Sequence, residues 1–260
     1  MKIGVFDSGV GGLTVLSAIA ERLPGADLLY LGDTARVPYG GRGAETVKSY
    51  ALECAQWLAD QGCDHVVIAC NTASAYGAEA VRSSLAPLPV TGVVHAGAEA
   101  AASAASQTGP VLVLATRGTV SSQAYIRALS RTMPGRGVRQ RACPLFVPLI
   151  EEGWPPGRVL DGAIDHYLAD LLEPAPAALI LGCTHYPVLK EHLADRLPVG
   201  LPIIDSSDAV AQRLAEAYPE QTRGRGHIQL CFTDDPEASR AAMQAIYPQG
   251  LRAVDQVRIA

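Results

Sequence analysis

Two apolar runs, each closed by a small residue and then a cysteine, constrain this chain more than any other feature. His65 to Ser74 reads HVVIACNTAS and Ala178 to Pro187 reads ALILGCTHYP, with threonine within two positions of each cysteine. Short runs rich in Ile, Val and Leu, without polar alternation, read as parallel strands buried on both faces. Cys70 and Cys183 therefore each fall at a strand's carboxyl end, ahead of a helix, where open α/β sheets place their ligands. The two cysteines lie 113 residues apart. A second pair of segments repeats at nearly that offset. Ile3 to Phe6 turns through Asp7-Ser8-Gly9-Val10-Gly11-Gly12, and 109 residues after Asp7, Pro110 to Ala115 turns through Thr116-Arg117-Gly118-Thr119. Two motifs recurring at one offset imply an internal duplication. The expected fold is α/β: two similar three-layer domains with mostly parallel sheets, related by a pseudo-twofold, each giving one thiol to an active site at their interface.

The tail from 207 onward has a strand pattern at Ile228 to Phe232 but no cysteine motif, so it is expected to complete the first sheet after the second half has been inserted. The first domain is accordingly expected over 1–94 plus 207–260, and the second over 95–206. Within them, the pattern predicts a strand over 90–94, helices over 96–106 and 121–133, and a loop over 143–157. The loop Thr34 to Gly43, TARVPYGGRG, is dense in turn residues of the kind that carry binding groups over a rigid scaffold.

Composition narrows the function. A 260-residue chain with 48% hydrophobic residues builds a sizeable core without staples. A net charge of −5 argues against a nucleic-acid or anionic-membrane surface, and the basic run Arg136 to Arg141 reads as a solvated loop or strand edge. The amino terminus lacks the pattern of a signal peptide and no apolar run reaches membrane length, so a cytoplasmic protein is expected. Six cysteines without CxxC spacing indicate free thiols rather than a zinc ribbon or a disulfide framework. Cys54, Trp57 and Cys63 read as packing on the helix 44–61, and Glu152 as an exposed acid.

The chemistry turns on the pairing. One strand-end cysteine is ordinary core packing, and the glycine turn after Asp7 matches neither dinucleotide nor P-loop spacing. A cysteine hydrolase needs one thiol and a base, which His185 could be, but has no use for a second equivalent thiol. Two opposed acid/base groups, one ionised and one protonated, are what inversion at a carbon centre requires. A thiol, with an ordinary pKa of about 8.5, reaches either state near neutrality.

FDSGVGG, VPYGG, IACNTAS, PLIEEG and LGCTHYP, in this order and spacing, closely resemble the glutamate racemases of the aspartate/glutamate racemase group, over essentially the whole chain. The resemblance implies an isomerase that converts L-glutamate to D-glutamate for peptidoglycan without pyridoxal phosphate or metal. It implies Cys183 as the base acting on L-glutamate and Cys70 on D-glutamate, with Asp7 assisting Cys70, and His185, near Glu151, assisting Cys183. Substrate contacts are implied at Asp7, Ser8, Tyr39, Gly40, Asn71, Thr72, Thr116, Thr119, Thr184 and His185. The partner is then a small-molecule substrate, with no nucleic acid and no membrane, and a homodimer is among the assemblies the resemblance allows. Some members carry an amino-terminal extension linked to activation by a cell-wall precursor; that control is not expected here. Where the family commonly has proline after the strand ending near Val94, this chain reads His95-Ala96-Gly97. Three rivals stay open from the residues themselves: a racemase for aspartate or another amino acid, a cysteine-dependent amidase, and a non-catalytic binding protein. His65, His95, His166, His192 and His227 are assigned to core or surface.

Overall fold

The computed structural model describes residues 1–105, 108–154, 157–246 and 254–259. Its strands are β1 (Lys2–Asp7), β2 (Asp27–Gly32), β3 (His65–Ile68), β4 (Val90–Gly92), β5 (Val111–Ala115), β6 (Val138–Ala142), β7 (Ala178–Gly182), β8 (Ile203–Asp205), β9 (Ile228–Phe232) and β10 (Val254–Gln256). The helices are α1 (Leu13–Arg22), α2 (Ala44–Asp60), α3 (Asn71–Leu85), α4 (Val93–Ala104), α5 (Arg117–Ser122), α6 (Ala124–Thr132), α7 (Phe146–Glu151), α8 (Arg158–Leu168), α9 (Lys190–Ala194), α10 (Ser206–Ala217) and α11 (Arg240–Ile246).

Two all-parallel sheets result. The first runs β10-β9-β2-β1-β3-β4 and the second β6-β5-β7-β8. Within the first, β2-β1-β3-β4 has the same order as β6-β5-β7-β8, so β1 corresponds to β5, and the cysteine strand β3 to the cysteine strand β7. The tail does complete the first sheet: β9 pairs with β2, and β10 pairs with β9. In each sheet the chain steps from the central strand to one side and returns to the other, which opens a crevice at the carboxyl ends of β1/β3 and of β5/β7. The basic run falls on β6, an edge strand, where Arg141 pairs with Asp170.

The strands form because both their faces are covered. β3, β5 and β7 are buried along their entire lengths. Phe6, Leu29 and Ile68 face α2 and α3, and Val113, Ile180 and Ile204 pack with residues of α4 and α6. The opposite faces of the two sheets share one core that also contains apolar residues of α1, α7, α8 and α10. α1 buries Leu13, Val15, Leu16 and Ile19 and packs on α10, which also contacts α4, so this helical layer joins the halves. Each such buried aliphatic contributes about 1.5–3 kcal/mol.

Some elements depart from expectation. β4 ends at Gly92 and α4 begins at Val93; Ser106, in the helix expected there, lies outside the described residues, as do 155–156 of the expected loop and 247–253 and 260 of the tail. The helix expected over 121–133 is two helices, α5 and α6, broken where Gln123 takes a left-handed conformation (φ 54°). The loop expected over 143–157 contains α7, held by edge-on contacts of Phe146 with Tyr167 and Tyr186.

One glycine brings the halves together. A Cβ on Gly11, in the β1–α1 turn, would lie 2.3 Å from Thr184 Oγ1 and 2.4 Å from His185 Nδ1, both beyond β7. Gly11→Ala should therefore push the seam open, destabilising the protein by about 1–3 kcal/mol and lowering its melting temperature by several degrees. Unchanged melting would show that the seam tolerates a methyl group there.

Candidate active site

The crevices of the two sheets face one another across this seam. Asp7, at the end of β1, is fully buried; Gly9 N–H donates to its Oδ2 at 3.0 Å, and Thr184 Oγ1 donates to its Oδ1 at 3.5 Å from the other half. Burial pushes the Asp7 carboxyl up, against the opposing pull of the His185 charge and the backbone N–H groups of Gly9, Gly12 and Ser8.

Cys70 is the amino-terminal cap of α3. Its Sγ accepts from Ala73 N–H at 3.5 Å, and its thiol donates to Ser8 Oγ at 3.5 Å. A helix amino terminus favours thiolate, yet burial, with Asp7 adding like-charge repulsion, pushes Cys70 up to about 12. Cys183 also acts on it as a like charge, which puts both sulfurs in one electrostatic site.

Cys183 follows β7, with Sγ 4.0 Å from His185 Nδ1. The other ring nitrogen, Nε2, lies 3.0 Å from Glu151 Oε1. Burial alone would lower the His185 value, but hydrogen bonds to Cys183 and Glu151 and their charges overcome it and raise it to about 10. α7, expected as loop, carries Glu151 to the imidazole. The two thiols stand in opposite surroundings, Cys183 beside an imidazolium and Cys70 beside a carboxyl group.

Three threonines form a second cluster. Thr72 Oγ1 lies 2.9 Å from Thr116 Oγ1 and 3.2 Å from Thr119 Oγ1, and Thr116 caps α5 by accepting from Thr119 N–H. Gly40 packs on this group, since a Cβ there would be 2.9 Å from Thr116 Cβ. Tyr39 is different. Its hydroxyl donates to Asp33, a buried carboxylate that also accepts from Arg36 Nε at 2.6 Å and Thr233 Oγ1 at 2.9 Å, so that phenol is not free for a ligand. The residues singled out from the sequence therefore gather as Asp7, Ser8, Cys70, Cys183, Thr184, His185 and Glu151 around the sulfurs, with Gly40, Thr72, Thr116 and Thr119 alongside; Asn71, directly after Cys70, has its side-chain oxygen held by Tyr125 OH.

Sequence reasoning missed the supports. Tyr30 OH donates to Gly9 O at 2.8 Å, fixing the glycine turn. Thr14 Oγ1 lies 2.9 Å from Gly11 O and 3.1 Å from Thr184 O, bridging the halves. Both sit at positions that helix and strand periodicity assign to packing, and neither carries a motif. His65, by contrast, is a core residue as expected, between Thr91 and Tyr218, with burial holding it down at about 4. Cys54 and Cys63 are buried and Glu152 is exposed. Among the described residues no group of three or more His, Cys, Asp or Glu is arranged to hold a metal ion, and no helix is long and apolar enough to cross a membrane. Clefts of about 480 and 920 Å³ open elsewhere, one at α3 and α6 and one between α4 and α10. The thiols, 5% and 7% exposed, line neither of them.

The family model described as Asp/Glu/Hydantoin racemase matches residues 3–214. The glutamate racemase of Aquifex aeolicus is 48% identical over 234 residues, spanning 90% of this chain and 89% of that protein. The chain belongs to the glutamate racemase family. Among solved members, the glutamate racemase of Francisella tularensis in complex with D-glutamate superposes with a TM-score of 0.90 at 32% identity, covering 100% of this chain and 97% of that one. The glutamate racemase of Thermus thermophilus in complex with beta-chloro-D-alanine gives 0.87 at 42%, covering 99% and 97%. The family is one of isomerases with two parallel-sheet α/β domains, as the motifs implied.

The His185 charge sets a pH dependence. Its folded value, raised from 6.5 to about 10, stabilises the fold fully below pH 6.5, and that contribution is lost as pH rises toward 10. Glu151→Gln should shift the imidazole titration to lower pH, followed by nitrogen NMR of the ring. A titration unmoved by that substitution would remove Glu151 from this role.

Proposed function

We propose that the protein interconverts L- and D-glutamate by two-base proton transfer across the seam. The observation that supports this most is the matched placement of two thiols after corresponding strands, β3 and β7, in opposite electrostatic surroundings. Cys183, its proton taken up by the neighbouring His185, removes the α-proton of L-glutamate. The Cα–H bond breaks, an S–H bond forms, and the electron pair is held by the substrate carboxylate. Cys70, still a thiol, delivers its proton to the opposite face, giving D-glutamate and a Cys70 thiolate. In reverse the roles exchange. Asp7, whose carboxyl burial pushes up, takes and returns protons beside Cys70, while Glu151 orients His185.

The substrate carboxylates are bound by small hydroxyls and backbone N–H groups: Ser8, Thr72, Thr116, Thr119 and Thr184, the Asn71 amide, and the Tyr39-Gly40 backbone. On this reading the domains divide at 1–94 plus 207–260 and 95–206, the reaction is cytoplasmic, and its product serves peptidoglycan synthesis.

Turnover should need neither pyridoxal phosphate nor metal. Lys2 and Lys48 are engaged by Gln61 O and Glu45, and Lys190 opens α9. Dialysis against EDTA should leave the rate unchanged; loss restored by a divalent metal would overturn this part of the reading.

The two thiols are separable. Cys70→Ser and Cys183→Ser should each abolish interconversion, serine being too weak an acid to replace either thiol. In deuterated water, the variant keeping Cys70 should label D-glutamate preferentially, and the one keeping Cys183 L-glutamate. Near wild-type racemisation by either variant, or the same labelled enantiomer from both, would refute two-thiol catalysis.

A further inference from the structure

Tyr125, on α6 of the second half, has no part in the mechanism above, yet it touches both cysteine motifs. It is fully buried. Its hydroxyl donates across the seam to Asn71 Oδ1 at 2.7 Å, in the residue directly after Cys70. Its ring lies against Gly182, directly before Cys183: a Cβ on that glycine would fall 3.1 Å from Tyr125 Cε2. The hydroxyl is also fixed from behind. Ser206 Oγ, at the start of α10, lies 3.2 Å away, and Gly97 leaves just enough room, since a Cβ there would be 2.9 Å from Ser206 Oγ and 3.4 Å from Tyr125 OH.

Asn71 is itself buried, and among the described residues its amide nitrogen has no hydrogen-bond partner, although it is not one of the sealed-off polar atoms. With its oxygen turned to the phenol, the amide's two N–H groups are left for the seam. An anion there reinforces the arrangement, because N–H groups facing a carboxylate require Asn71 Oδ1 to face a donor, and Ser206 can donate in turn to the phenol oxygen.

We propose that Tyr125 is a positioning residue: by holding Asn71 Oδ1 across the seam it aims that amide's N–H groups at a carboxylate of the substrate, and it spaces the two cysteine motifs. This rests on the proposed racemisation of glutamate, with Asn71 as a substrate contact.

Tyr125→Phe keeps the ring on Gly182 and removes only the hydroxyl. Losing one aimed donor should raise KM for both enantiomers about tenfold while kcat changes less than about threefold. Because Tyr125 acts through Asn71, the same substitution made on top of Asn71→Ala should add no further loss. Ser206→Ala, which spares the Asn71 bond, should have a much smaller effect than Tyr125→Phe. Unchanged KM in Tyr125→Phe, independent losses in the double variant, or an equal loss from Ser206→Ala would each overturn the proposal while the wild type still racemises glutamate. So would a large fall in melting temperature in Tyr125→Phe, which would make the bond structural. A wild type that fails to racemise glutamate, or an Asn71→Ala variant with wild-type kinetics, would instead overturn the reading on which the proposal rests, and the proposal with it.

Discussion

His185, buried in the seam and raised to about 10 with Cys183 and Glu151 as its partners, is the charge on which the rest of the site depends. An isolated anion in such a place costs several kcal/mol. The imidazolium is shared: it faces Cys183 through Nδ1, Glu151 through Nε2, and it opposes the upward push of burial on Asp7 from across the seam. Gly11 leaves the space in which the ring sits, and α7 brings its carboxylate partner. The backbone turn of one half, the cysteine motif of the other and a short helix missed by periodicity are thus arranged around one ring.

The matching strand orders make the site symmetric in its skeleton, while its chemistry is asymmetric. Equivalent strands place the two cysteines equivalently, but the residues around them differ. Cys70 has Ser8 and Asp7 as neighbours, whereas Cys183 has His185 and Glu151. On the proposed two-base reading, these unequal neighbours decide which of the two thiols carries the proton.

What was legible in the sequence follows from range. β3 and β7 are unbroken apolar runs, so both cysteines could be placed at strand ends without knowing any partner. The likeness of the two halves followed from the repeated offsets, and β9 from its own apolar pattern. Features set by distant neighbours were hidden. α7 contains Pro148 inside a six-residue span, too short for a helical period to show. The break at Gln123 lies inside an apparently continuous helical pattern because glutamine carries no turn signal. Tyr39 belongs to a motif, but only the buried Asp33 network shows where its hydroxyl goes. Tyr125 looks like any aromatic on a helix stripe; its role appears only when α6 is set against α3.

The first sheet is drawn from both ends of the chain, with the entire second half inserted between β4 and β9. During synthesis on the ribosome, β1 to β4 emerge early, but β2 keeps an open hydrogen-bonding edge until β9 is made. That edge is a template for unwanted pairing with another nascent chain. The cost of an architecture in which the last strands close the first sheet is therefore borne in translation: the protein is most exposed to misassembly in the interval between finishing its second sheet and finishing its first.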